Sequence, residues 1–147
     1  MHNVCLPMKT LLLLLTTCGM LAVMPARATE TALGIQFGTP GNVGLSLRFD
    51  RVSIGAAWQL GNDGYLHTTI DYWAIKSPLG SKVDWFLGPG VDLGLRNPFL
   101  LAIRIPIGLQ WMPSKDWEIF GDVAPSLQVI DASKFYVAGT IGLRYVL

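Results

Sequence analysis

Phe99-Leu100-Leu101-Ala102-Ile103-Arg104-Ile105-Pro106-Ile107-Gly108-Leu109-Gln110-Trp111 alternates from end to end. Phe99, Leu101, Ile103, Ile105, Ile107, Leu109 and Trp111 fall on one face, while Leu100, Ala102, Arg104, Pro106, Gly108 and Gln110 fall on the other. A period of two belongs to a β-strand; a helix would repeat every 3.6 residues. One face is apolar without a gap and the other is small or polar, so the two faces are built for different surroundings.

The same alternation extends in both directions. Val43, Leu45, Leu47 and Phe49 oppose Gly44, Ser46 and Arg48, and near the C-terminus Ile141, Leu143, Tyr145 and Leu147 oppose Thr140, Gly142, Arg144 and Val146. Eight such segments are predicted, near 31–38, 42–49, 52–60, 65–75, 82–95, 99–111, 117–130 and 135–147. Short turn signals separate them, among them Thr39-Pro40-Gly41, Gly61-Asn62-Asp63-Gly64, Arg96-Asn97-Pro98 and Asp131-Ala132-Ser133-Lys134. Links this short join neighbouring strands antiparallel, as a meander. Pro89, Pro106 and Pro125 fall inside predicted strands, where each removes one ladder donor; Gly88-Pro89-Gly90 reads as a bulge.

The chain has 147 residues, 51% of them hydrophobic and 14% charged, with a mean hydropathy of +0.43. That is greasy for a water-facing domain, and the length allows one domain. Residues 1–28 read as a secretory signal peptide: Lys9, the apolar stretch from Leu11, and Ala26-Arg27-Ala28 for the peptidase. Both cysteines, Cys5 and Cys18, lie in this leader, so disulfides, thiolate catalysis and cysteine metal sites are not expected downstream. Setting aside Lys9 and Arg27 from the 11 basic residues leaves nine against ten acidic ones. No basic stripe remains for nucleic acid.

Collecting the polar faces gives Arg48, Asp71, Asp84, Asp92, Arg104, Glu118, Asp122 and Arg144, a set suited to an interior crossed by ion pairs. Arg104 with Asp122, and Arg144 with Glu118, are the expected partners. Aromatic residues cluster at strand ends: Trp73, Trp85, Trp111, Trp117 and Tyr145 toward one rim, and Trp58, Tyr65, Phe99 and Phe135 toward the other. Membrane barrels carry such girdles, on strands of roughly 9 to 11 residues. The expectation is therefore an all-β, eight-stranded antiparallel up-and-down transmembrane β-barrel over residues 29–147, in the bacterial outer membrane. The competing expectation is a soluble, lipocalin-like periplasmic barrel that carries a lipid-like ligand, with the two faces inverted.

Ala102-Ile103-Arg104-Ile105-Pro106-Ile107-Gly108-Leu109, Phe120-Gly121-Asp122-Val123-Ala124-Pro125 and Gly139-Thr140-Ile141-Gly142-Leu143-Arg144-Tyr145 resemble, in order and spacing, a family of small bacterial outer-membrane β-barrels of unknown function, similar in build to the OmpA membrane domain. Gly38-Thr39-Pro40-Gly41 and Leu66-His67 with Asp71-Tyr72 extend the resemblance over nearly all of the chain after the leader. It implies eight strands, in-strand prolines at 106 and 125, insertion by the outer-membrane machinery, and nothing about activity.

Eight strands enclose an interior that side chains about fill, so a wide pore is not expected and a small channel would need a continuous wet path. His67 is the one histidine after the leader. Asp71, four residues on, stands roughly 13 Å away along an extended strand, too far for a catalytic dyad unless a neighbouring strand supplies the partner. Lipid-modifying catalysis, with Ser53 as a conceivable nucleophile, is thus the lesser expectation; no catalytic residue, metal or cofactor is assigned. The outward turns are short, leaving the lipid bilayer and a lateral membrane-protein partner as the expected contacts.

Overall fold

The computed structural model describes residues 30–62, 64–130 and 132–147; the expected leader lies outside them. Every regular element among them is a strand: β1 (Thr31–Thr39), β2 (Val43–Phe49), β3 (Val52–Trp58), β4 (Leu66–Tyr72), β5 (Ile75–Pro78), β6 (Val83–Leu87), β7 (Gly90–Leu95), β8 (Leu100–Arg104), β9 (Ile107–Trp111), β10 (Trp117–Ile130) and β11 (Lys134–Val146). All pairings are antiparallel. Eight strands, β1, β2, β3, β4, β7, β8, β10 and β11, pair one to the next in a ring, with β11 returning to β1. The remaining three extend the sheet from β10 in the order β9, β6, β5 at one end of the ring.

Eleven strands stand where eight segments were predicted: 82–95 and 99–111 are each cut in two, and 65–75 holds β4 and breaks before β5, which runs past the predicted end to Pro78. The cuts lie at Trp73-Ala74, Gly88-Pro89 and Ile105-Pro106, side by side in the sheet. A proline nitrogen cannot donate, so the ladder stops there. The prolines still accept: Tyr72 N–H donates to the Pro89 carbonyl (2.9 Å), Gly88 to Pro106 (3.3 Å) and Ile105 to Pro125 (3.1 Å). A seam of proline carbonyls thus crosses four neighbouring segments. Between the pairs Asp71–Gly90 and Ile75–Leu87, three residues on one strand face two on the other, so the bulge sits at Trp73-Ala74 opposite the Gly-Pro step. β10 runs unbroken through Pro125, held along its length by β11.

Burial is inverted with respect to a soluble protein. Arg48, Arg104, Arg144, Glu118, Asp92 and Gln110 are among the most buried side chains, packed beside Ala32, Ala102, Ala124 and Ala138. Leu45, Ile103 and Ile141 are 63%, 55% and 60% exposed. Small inward residues make the room. A Cβ on Gly90 would collide with the Asp71 carboxylate and stand 3.1 Å from Arg104 Cγ, so glycine there is what lets those two side chains meet.

Gly90→Ala is expected to lower stability by about 1–3 kcal/mol through overpacking. Gly80→Ala, which meets nothing within 4 Å, is expected to stay within about 0.5 kcal/mol. Urea unfolding of the two variants followed by tryptophan fluorescence checks the contrast; equal midpoints would contradict it.

Candidate functional site in the ring interior

Three polar layers stack along the inside of the ring. At the end where β11 finishes, Glu118 on β10 lies between two arginines from different strands. Arg48 on β2 reaches Glu118 Oε2 through Nη2 (2.6 Å) and Nε (2.7 Å), and Arg144 on β11 reaches Oε1 through Nη1 (2.6 Å). All three side chains are fully buried. Arg144 gives two further donors to Ser46 Oγ (2.9 Å) and Ser53 Oγ (2.5 Å), and its guanidinium lies 3.6 Å from the Phe120 ring centroid. Arg48 adds the Asp50 carbonyl (3.0 Å) and the half-exposed Glu30 (3.5 Å). Trp73, stacked on Phe86 at 4.0 Å, closes the layer over both guanidiniums.

The middle layer inverts the stoichiometry. Arg104 on β8 meets Asp71 on β4 (Nε to Oδ1, 3.2 Å) and Asp122 on β10 (Nη2 to Oδ1, 3.0 Å). One guanidinium here serves two carboxylates, where in the first layer two guanidiniums serve one.

The third layer lies at the mouth formed by the turns after β1, β3, β7 and β10. His67 on β4 contacts Asp92 on the adjacent β7 (Nδ1 to Oδ1, 2.7 Å), and Tyr136 on β11 donates its hydroxyl to the other oxygen, Oδ2 (2.7 Å). His67 is only 3% exposed, and its Nε2 has no hydrogen-bond partner among the described residues. Tyr65 lies against His67 at 5.8 Å between ring centroids, and Arg96 sits 5.2 Å from the Tyr65 centroid. Above this layer opens a cavity of about 290 Å³, whose lining includes Gln59, Tyr65, His67, Arg96, Lys134 and Tyr136.

The predicted pairs Arg104–Asp122 and Arg144–Glu118 are both within contact distance, and Arg48, Asp71 and Asp92 join the buried layers. Asp84 does not: it pairs with Lys76 at 3.4 Å, partly exposed, away from the buried guanidiniums. Among the predicted girdle residues, Trp58, Trp111, Trp117 and Tyr145 are exposed on the outer face, the last two edge-to-face at 5.3 Å, and Trp85 is half-buried. Trp73 and Tyr65 depart from the expectation. Trp73, in the bulge after β4, stacks inward on Phe86, and Tyr65, just before β4, lies over the mouth. The partner of His67 is Asp92 of the neighbouring strand, not Asp71 of its own. Among the described residues no three metal-ligating side chains converge.

No protein-family model matches this chain, and no curated protein matches it.

Glu118→Ala is expected to cost roughly 3–5 kcal/mol, because it leaves two buried guanidiniums without their carboxylate. Lys115→Ala, at an exposed turn, is expected to be near neutral. Arg51 would make a poor control, since it donates to the Ala74 carbonyl beside the bulge (3.1 Å). Denaturant midpoints of the two variants measure the difference, and matching midpoints would remove the layer from the account of stability.

Proposed function

We propose that this chain is an eight-stranded transmembrane β-barrel of the bacterial outer membrane, filled by ion-paired side chains, whose role is structural or is exercised through a lateral membrane partner. The observation that carries the reading is the inverted polarity. Among the described residues thirty large apolar side chains are exposed, most of them on the strands' outer face, while charged residues occupy the interior. Water would oppose this arrangement: soluble monomers rarely expose a contiguous apolar patch beyond a few hundred Å². Surrounded by hydrocarbon, a ring of paired strands has its backbone groups satisfied and its apolar side chains solvated.

Two other readings fit less well. A lipocalin-like carrier needs an apolar interior, and here the interior holds three arginines and their carboxylates. A channel needs a continuous wet path, and the two lower layers are closed by side chains in contact with one another. No helix among the described residues is long and apolar enough to cross a membrane, so crossing would be by strands.

The chain from residue 29, refolded with and without detergent micelles, tests the reading on SDS gels run with and without boiling. A heat-dependent mobility shift obtained only with micelles is the expected outcome, together with no discrete conductance steps in a planar bilayer. A folded monomer in buffer without detergent would overturn the membrane assignment, and stable single-channel steps would overturn the filled interior.

A further inference from the structure

The three layers draw polar side chains from β2, β3, β4, β7, β8, β10 and β11, and among the described residues none comes from β1. Alternation turns Ala32, Gly34, Gln36 and Gly38 of β1 inward, so Gln36, 8% exposed, is the one polar side chain this strand offers to the interior. Its amide reaches past β2. A Cβ on Gly55 of β3 would stand 2.5 Å from Gln36 Nε2 and 2.7 Å from Thr69 Oγ1 of β4, so that glycine leaves the two groups room beside each other. Thr140 of β11 is the diagonal neighbour of Gln36 on the same face, because Gln36 pairs with Gly142 and Gly38 with Thr140. Among the described residues the side chains of Gln36, Thr69 and Thr140 make no hydrogen bond, and all three line one small cavity of about 10 Å³. It lies between His67 of the mouth layer and Arg104 of the middle layer, and His67 and Pro40 line both it and the mouth cavity.

We propose that this cavity is a binding site for one ordered water, held by the Gln36 amide and the hydroxyls of Thr69 and Thr140, which joins β1 to the polar interior. A site for a single water needs about 10–15 Å³ and two to four polar partners, and the cavity offers both. Each of the three side chains can donate or accept, so the site requires no particular protonation of any neighbour. An apolar occupant would leave all three groups unpaired. An anion beside Arg104 would face Asp71 and Asp122, which already hold that guanidinium, and a cation would face Arg104 itself. A neutral molecule with both donors and acceptors is what remains. The water spans β1, β4 and β11, and so crosses the β1–β11 pairing that closes the ring. The inference goes beyond the membrane reading and does not depend on it, because the cavity belongs to the interior whatever surrounds the ring.

The test uses the chain from residue 29, folded in detergent. A crystal structure is expected to show a density peak within about 3.2 Å of at least two of the three side chains. Deuterium relaxation dispersion of the solvent counts long-lived internal waters in the same sample without crystals. Ala57→Val adds two methyl groups at a buried position lining the cavity, about the space of one water, and is expected to lose one long-lived water. Ala56→Val, turned to the outer face of the same strand, is expected to lose none. Where Ala57→Val does not fold, Thr69→Val combined with Thr140→Val keeps the volume, removes two of the three partners, and is expected to lose the same one. A cavity without a peak, or a count unchanged in the folded variant, overturns the site. A peak that takes up the anomalous signal of bromide after soaking marks an anion and overturns it too. The heat-dependent gel shift of the same sample separates failure of this site from failure of the barrel.

Discussion

Three guanidiniums enclosed in a ring of eight strands must each find anionic partners, because an isolated charge taken out of water costs several kcal/mol. Arg48, Arg104 and Arg144 meet this demand with Glu118, Asp71 and Asp122, but unequally. One layer has two cations on one carboxylate, and the next has one cation on two. In these two layers three guanidiniums face three carboxylates, and their contacts couple β2, β4, β8, β10 and β11 beyond their ladders. The serines on β2 and β3 and the Phe120 ring add to the contacts of Arg144, which reach beyond its own carboxylate.

Small inward residues and large outward ones follow from this filling. Arginines cross the ring only if glycine and alanine occupy the positions beside them, as Gly90 does for Asp71 and Arg104. The outer face has no such restriction and carries branched apolar side chains throughout. Turning the sheet inside out would bring charge to the surface and leave the interior with more apolar volume than the ring could hold. The two faces are thus fitted to different volumes as well as to different solvents.

Alternation made the strands and their faces legible in the sequence, because a period of two needs no knowledge of the tertiary fold. Pairs on adjacent strands, Arg104–Asp122 and Arg144–Glu118, were legible for the same reason, since the meander places those strands side by side. Contacts across the ring were not. Arg48 on β2 reaches Glu118 on β10 although two strands separate them in the sheet, and only closure brings them together. Asp92 was placed on the correct face but not matched to His67, because that match needs the β4–β7 register. Tyr65 and Trp73 were read as rim aromatics from their place at strand ends. Both lie just outside β4, Trp73 in the bulge, where alternation does not decide the face. The splitting of three segments could be read in part, since Pro89 and Pro106 mark two of the cuts, while the third is passed to Trp73-Ala74 by the strand opposite.

The proline seam bears on a different problem, which is how the strands find their alignment. Sliding one strand by two residues leaves every side chain on its own face, so polarity cannot oppose it and a repetitive apolar wall tolerates it. The prolines do oppose it. Moved by two places, a residue without an N–H stands where a donor is needed, and the carbonyls that serve Tyr72, Gly88 and Ile105 lose their partners together. Three prolines in neighbouring segments act as the teeth of a key, admitting one alignment among several that hydrophobicity would accept.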